Sequence, residues 1–199
     1  MSIRDNYLEI LKRKDAAAKR SGRSPEDVIL MAVTKKHEPA ELKEAIDAGA
    51  TDFGENKVQE LLSKYDEVHP ERWHLIGHLQ TNKVRQIIDK VIMIHSVDSL
   101  KLAREINKRA AAASLVMDVL IEINLAEEES KTGISKGDVE ELIKCIAAEC
   151  DSVRVRGIMC IPPRADNPED SRRYFKETKR IFEELKKLED RKSTRLNSS

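Results

Sequence analysis

The sequence predicts a parallel α/β fold of the TIM-barrel type. Short apolar runs recur along the chain, and most are continuous, as in parallel strands covered on both faces. Segments with an apolar stripe at the 3.6-residue helical period separate these runs. The alternation alone fits either an open doubly wound sheet or a barrel. The first run leads into Thr34, Lys35 and Lys36 without the glycine fingerprint of a dinucleotide-binding sheet, and this favours the barrel.

The elements follow one another in a regular order. A helix is predicted at about residues 3–20, and Ser24-Pro25-Glu26 predicts an N-cap with proline at the first helical position. The strand candidates are Ile29–Val33, Thr51–Phe53, Trp73–Ile76, Val91–Ile94, Met117–Ile123 and Val153–Ile158. Helical stripes lie between them, for example Val58, Leu61, Leu62 and Tyr65. Asn167-Pro168 opens the last helix.

The chain is short for a complete barrel. A TIM barrel has eight βα units and about 250 residues, whereas this chain has 199 residues and about six units. Residues 190–199, DRKSTRLNSS, match the translation of a sequencing adapter residue for residue. We therefore expect residues 1–189 to form a single, incomplete barrel domain and residues 190–199 to be a non-native tail.

Composition excludes several classes of protein. Lys plus Arg and Asp plus Glu each number 36, and only 4% of the residues are aromatic, which argues against nucleic-acid and acidic-membrane binding. No apolar run reaches the roughly 20 residues that span a bilayer, and the charged N-terminus is unlike a secretory signal. Cys145, Cys150 and Cys160 form no CxxC pair, so we expect a cytoplasmic protein with cysteines as small core residues.

Lys35 is the first candidate for chemistry, because functional groups in α/β barrels sit where strands end. An ammonium group that emerges from an apolar strand into a cleft is partly desolvated, which lowers its pKa. A neutral amine can form a Schiff base with an aldehyde. The alternative is a solvated lysine that only ends the strand. On an extended chain Lys36 points the other way, so one of the two faces the cleft.

Other strand ends carry weaker candidates. Asn56 follows Gly54 and Glu55, which are also explained by a tight turn and a carboxylate at a helix N-terminus. His74 and His78 are four residues apart, but the residues between them indicate a strand and a turn, so His78 is expected to line the cleft and no metal site is predicted. Met159 is either core or an apolar wall for a planar ligand.

Two further polar stretches have ordinary explanations. The segment from Ser96 to Ser99 is explained as capping of a helix that begins near Leu100, rather than as a nucleophile beside the histidines. The charged run from Glu127 to Lys131 is expected to be a solvated loop.

Taken together, the stretches AVTKK, FGENKVQE, WHLIGHLQTNK, SVDS, IEINLAEEESKTGI and VRGIMCIP closely resemble the pyridoxal phosphate homeostasis protein family, from about residue 24 to 189. The resemblance implies the fold type III barrel of alanine racemase without its second domain. It implies that pyridoxal 5′-phosphate (PLP) is held on Lys35 and that Asn56, His78 and Met159 lie near the cofactor. It also implies intracellular vitamin B6 homeostasis without catalysis, with PLP-dependent apo-enzymes as possible recipients.

The sequence departs from the family pattern in three places. Lys57 replaces a common tyrosine and Thr34 a usual serine, and both changes look tolerable. A Ser-x-Gly-Met-Ser stretch and a Gly-Ser-Thr segment followed by Val-Arg-x-Gly, which in the family cradle the phosphate, have no counterpart. We therefore expect weak phosphate anchoring and exposed strand edges that promote association.

Two enzymatic alternatives remain open: a PLP-dependent amino-acid racemase and a Schiff-base aldolase on the same barrel. The racemase needs a second catalytic group on the other face of the cofactor. The aldolase would use Lys35 against a sugar-type aldehyde.

Overall fold

Six parallel strands pair strictly in chain order in the computed structural model, which describes residues 2–126 and 132–196 and the side chains up to residue 187. The strands are β1 (Met31–Val33), β2 (Asp52–Glu55), β3 (Arg72–Leu75), β4 (Met93–Val97), β5 (Met117–Glu122) and β6 (Val153–Met159). Crossovers between parallel strands are right-handed, so an order that never reverses places every connecting segment on one face. The other face is then the inner face of an incomplete barrel, as predicted.

The helices cover the outer face. They are α1 (Ile3–Arg20), α2 (Pro39–Asp47), α3 (Val58–Tyr65), α4 (Leu100–Ala112), α5 (Val139–Glu149) and α6 (Arg172–Leu196). Short 3₁₀ turns occupy Pro25–Asp27, Thr81–Gln86 and Pro168–Ser171. The connection between β3 and β4 is thus a 3₁₀ turn rather than an amphipathic α-helix. A capping box of Ser2 and Asp5 begins α1, and Pro25 begins the first 3₁₀ turn as predicted.

The core lies between the outer face of the sheet and the helices. Phe53 of β2 and Trp73 of β3 meet edge to face with ring centroids 5.8 Å apart. Leu61 of α3 and Ile106 of α4 are fully buried against this layer. Burial of such side chains contributes about 1.5–3 kcal/mol each, which explains why the predicted apolar stripes became these helices.

Strand bounds correct two sequence predictions. β2 extends to Glu55, so Gly54 is a strand residue paired with Val33 and His74 and does not form a turn. A Cβ at Gly54 would lie 2.6 Å from Met31 Sδ, so a larger residue would require the Met31 side chain to shift. β4 runs through Ser96, whose hydroxyl donates to the Gly77 carbonyl at 2.6 Å, and only Ser99 caps α4. The capping interpretation was therefore correct for Ser99 and wrong for Ser96.

The ends of the sheet and of the chain bear on other predictions. Within the described residues, β1 and β6 each pair with one neighbour, so the strand order leaves two edges. The last helix, α6, continues to Leu196, past the end of the barrel domain that the sequence predicted near Glu189. Of the cysteines, Cys150 lies in the core, whereas Cys145 and Cys160 are half-buried. In the part of the chain that the structure describes, every helix is too short or too polar to cross a membrane.

Candidate functional site

The predicted site residues lie at the carboxyl edge of the sheet. Lys35, Asn56 and His78 follow β1, β2 and β3, which are neighbours in the sheet. Met159 ends β6, at the other end of the strand order. The structure thus places three of the four at the ends of adjacent strands, whereas Met159 lies at the far end of the strand order.

A buried network fixes the backbone that carries Lys35. Thr34 continues the pairing of β1, since its N–H donates to the Gly54 carbonyl at 3.0 Å. Its hydroxyl donates to Glu55 Oε2 at 2.7 Å. Lys64 Nζ of α3 donates to the same Glu55 oxygen at 2.9 Å and to the Thr34 carbonyl at 2.7 Å. The side-chain hydrogen bonds of Thr34 are made by its hydroxyl, a group that serine shares, which explains why threonine can replace serine here.

Lys35 itself lies in the turn that this network holds. Its side chain is exposed among the residues that the structure describes. The expectation that burial partly desolvates the Lys35 amine is therefore wrong. Val33, which ends β1 just before this turn, is also exposed (47%), so the surface around Lys35 is open beside the β1 edge. Lys35 is the first residue of the turn that follows Thr34, and solvent reaches its side chain.

Glu55 connects this turn with Asn56. Glu55 is fully buried, and its Oε1 accepts the Asn56 N–H at 2.7 Å and the Lys57 N–H at 3.4 Å. Lys57 is the N-cap of α3, so the carboxylate does complement a helix N-terminus, as one interpretation of FGEN held. Glu55 also pairs with Lys64 and Thr34, which that interpretation did not foresee.

Asn56 is held by contact with the next strand end. A Cβ at Gly77 would lie 2.4 Å from the Asn56 carbonyl oxygen, so only glycine permits this approach. The side-chain Oδ1 of Asn56 is buried and has no hydrogen-bond partner among the described residues. An unpaired buried acceptor is uncommon and costly, and here it lies beside the strand end that carries Lys35.

His78 belongs to an acidic corner formed by the ends of β3, β4 and β5. Its Nδ1 lies 4.0 Å from Asp98 Oδ2, and its side chain is 52% exposed. Nearby, Glu122 is buried and accepts the hydroxyl of Thr132 at 2.7 Å. Burial raises the pKa of Glu122, and the hydrogen bond from Thr132 partly offsets this. The predicted loop from Glu127 to Lys131 lies outside the described residues.

Met159 is half-buried, which leaves both interpretations of it open. It pairs in register with Glu122, and its carbonyl accepts the Ile123 N–H at 2.8 Å. Its position is therefore fixed by β5 rather than by its own side chain.

The inner face of the sheet carries a second buried network. Asp52 Oδ1 accepts from His74 Nε2 at 3.0 Å, and His74 Nδ1 lies 3.0 Å from His95 Nε2. His74 is thus engaged with Asp52 and His95 rather than with His78. Arg72 binds both oxygens of Asp52 at 2.7 Å.

The charges of this network depend on burial and on Arg72. Burial raises the pKa of Asp52, but hydrogen bonds from Arg72, Thr51 and His74 outweigh it and lower that pKa to about 2. Burial, assisted by His74, lowers the pKa of His95 to about 4. Burial also lowers the pKa of His74 against the influence of Asp52. Both histidines are therefore neutral near pH 7.

Sequence reasoning missed Lys64 and Glu122. Lys64 lies three residues after Leu61, within the apolar stripe of α3, and a lysine at such a position is a signal of a buried partner. Glu122 interrupts an apolar run of β5 in the same way. Spacing along the chain cannot show which groups lie across from them.

Comparison with known proteins places the chain in a family. Residues 11–199 match the family described as alanine racemase, N-terminal domain. The pyridoxal phosphate homeostasis protein of Aquifex aeolicus (strain VF5) is 39% identical over 189 residues, which cover 94% of this chain and 82% of the relative. The chain belongs to the pyridoxal phosphate homeostasis protein family.

A second curated relative and a solved structure are also similar to this chain. The pyridoxal phosphate homeostasis protein of Escherichia coli (strain K12) is 40% identical over 165 residues, covering 80% of this chain and 70% of the relative. The structure of PipY from Synechococcus elongatus PCC7942 with PLP bound is similar at a TM-score of 0.73 and 28% identity, covering 89% of this chain and 82% of PipY. These matches confirm the family and the barrel fold that the motifs predicted.

Proposed function

We propose that this chain is a non-catalytic PLP-binding protein of intracellular vitamin B6 homeostasis, which holds the cofactor as a Schiff base on Lys35. The observation that carries the proposal is the exposed Lys35 amine at the carboxyl end of β1, on a backbone fixed by buried bonds. The names of the relatives and the PLP in PipY support the choice of cofactor. PLP supplies an aldehyde, with which an unprotonated amine reacts.

The donors and acceptors of the site fit such a ligand. The buried Oδ1 of Asn56 lacks a donor, and the phenol or the protonated ring nitrogen of PLP can supply one. The imidazole of His78 can donate or accept. The thioether of Met159 is a soft apolar surface suited to a planar ring. We propose that these three residues orient the ring while Lys35 holds it.

Two adjacent lysines allow a sharp test of the attachment point. The chain is incubated with PLP, reduced with borohydride and mapped by peptide mass spectrometry. We expect the label on Lys35, and we expect Lys35→Ala to remove it. Lys36→Asn is the matched control, because Lys36 is exposed at φ 63°, where asparagine is tolerated. Label scattered over many lysines, or retained at this turn in Lys35→Ala, would contradict the proposal.

The enzymatic alternatives predict different results. A racemase would exchange the α-hydrogen of an added amino acid, whereas a carrier would not, and this is measured by deuterium incorporation in heavy water. An aldolase would give a borohydride-trapped adduct of Lys35 with a sugar-type aldehyde in the absence of PLP.

Delivery of PLP to apo-enzymes is the further part of the proposal. The loaded chain is mixed with a PLP-dependent enzyme stripped of its cofactor, and the recovery of activity is compared with that given by free PLP at the concentration the chain releases. Faster recovery with the loaded chain supports direct transfer. Equal rates would show that the chain only buffers free PLP.

A further inference from the structure

Helix α3 contacts the backbone on both sides of Lys35. Before it, the ammonium group of Lys64 donates to the Thr34 carbonyl at 2.7 Å. After it, the Lys36 N–H donates to the carboxylate of Glu60 at 3.1 Å. Lys64 and Glu60 are four residues apart, which places them one turn from each other on the same helix face.

The two contacts differ in burial, and in each the α3 side chain is paired with a second side chain of opposite charge. Lys64 is 6% exposed, and its charge is balanced by the fully buried Glu55 at 2.9 Å. Glu60 is half-buried, and its second oxygen lies 3.4 Å from Lys57 Nζ. The hydrogen bond from the Lys36 N–H is the main cause that lowers the pKa of Glu60. Each contact is therefore made by a side chain that is itself held by a second group of opposite charge.

The turn needs such support. Lys36 lies at φ 63°, a conformation that costs a non-glycine residue about 1 kcal/mol or more. Within the turn, the His37 N–H donates to the Thr34 carbonyl at 3.1 Å. The Thr34 carbonyl thus accepts from both His37 and Lys64. Without α3 the backbone on either side of Lys35 could relax toward other conformations.

We propose that Lys64 and Glu60 are positioning residues that set the direction of the Lys35 amine for PLP capture. The inference rests on the proposed function, since it concerns the same lysine. Neither residue touches the reacting atoms, and each acts through the backbone beside Lys35. A group displaced by about 1 Å can lose up to about 100-fold in rate, so positioning of this kind is measurable.

Two variants test the contacts without leaving a buried charge alone. Glu55→Gln combined with Lys64→Met removes both members of the buried pair, while the glutamine oxygen can still accept the Asn56 and Lys57 N–H groups. Glu60→Ala removes the second contact at a half-buried position where misfolding is not expected. Glu67→Ala is the control, because Glu67 is an exposed carboxylate just after α3.

Two rates at Lys35 are compared by mass spectrometry: borohydride-trapped PLP, which needs an oriented amine, and acetylation by acetic anhydride, which does not. We expect the double variant and Glu60→Ala to lose about tenfold in PLP capture, while acetylation stays within about twofold and the circular dichroism spectrum is unchanged. The control should match the parent chain in both rates.

The outcomes separate the two proposals. PLP capture at the parental rate in both variants overturns the positioning role and leaves the proposed function intact. Parallel loss of capture and acetylation also overturns it, because the amine would then be buried or the turn unfolded. Absence of PLP on Lys35 in the parent chain overturns the proposed function and this inference with it.

Discussion

Two buried carboxylates of the same strand, Asp52 and Glu55 of β2, lie on opposite faces of the sheet and are neutralised differently. Glu55 faces α3 and accepts from the Lys64 ammonium, the Thr34 hydroxyl and two backbone N–H groups. Asp52 faces the inner side and accepts from Arg72, Thr51 and His74. One network is closed around a buried cation, and the other continues to His95.

The two networks differ in what they contribute to the stability of the sheet. On the outer face, Glu55 binds the buried Lys64 and the Thr34 hydroxyl, so the turn of Lys35 is held by groups shielded from solvent. On the inner face, Arg72 is 38% exposed and the chain of contacts ends in histidines. The outer network is therefore expected to dominate stability, and the inner network to dominate its dependence on pH.

The largest effect on stability is expected from Lys64→Met, which leaves the Glu55 carboxylate in the core without its cationic partner. Loss of one partner of a buried ion pair costs about 3–5 kcal/mol in the free energy of unfolding. Urea denaturation of this variant should show a much lower midpoint. Glu55→Gln combined with Lys64→Met should recover most of the loss, because both charges are gone. A single variant within about 1 kcal/mol of the parent would contradict the buried pair.

An intermediate effect is expected from His95 on acidification. Its pKa is about 4 in the folded chain against 6.5 ordinarily, so the unfolded chain binds a proton that the folded chain excludes. The free energy of unfolding should therefore fall between about pH 6.5 and 4, by up to about 1 kcal/mol per pH unit.

Replacement of the imidazole isolates this contribution. His95→Gln should flatten the slope between pH 6.5 and 4 in urea denaturation series, since the titrating group is removed. Asp52, with a pKa of about 2 against 3.8, adds a separate loss as the pH falls through that lower window. An unchanged slope in His95→Gln would contradict the assignment of this acid sensitivity to His95.

The smallest effect on stability is expected where the segment after β3, at Gly77, meets the segment after β2, at Asn56. Gly77→Ala places a methyl group 2.4 Å from the Asn56 carbonyl oxygen, and backbone shifts of this kind cost about 1–3 kcal/mol. Gly137→Ala is the matched control, because its nearest neighbour is at 3.8 Å and a change within about 0.5 kcal/mol is expected. Equal melting midpoints for Gly77→Ala and the parent chain would contradict the close approach of Gly77 to the Asn56 carbonyl.

Much of the fold could be predicted from local pattern. The order of strands and helices, the start of the first 3₁₀ turn at Pro25, the cap at Ser99 and the family motifs all depend on neighbours in the chain. The wrong predictions concern residues whose conformation is set by packing against distant parts of the chain. The continuation of β2 through Gly54 depends on pairing with Val33 and His74, and Ser96 at the end of β4 binds the Gly77 carbonyl beyond β3.

The sequence by itself determined the parallel alternation, the family and the emergence of Lys35 from an apolar strand, because these are properties of residue type and spacing. Tertiary structure alone decided which groups surround that lysine. Lys64 and Glu60 hold the backbone on either side of it from α3, and its side chain is exposed to solvent. The physical reason is that hydrogen bonds and burial join residues about 20 to 30 positions apart in the chain, and spacing carries no record of which side chains meet across a sheet.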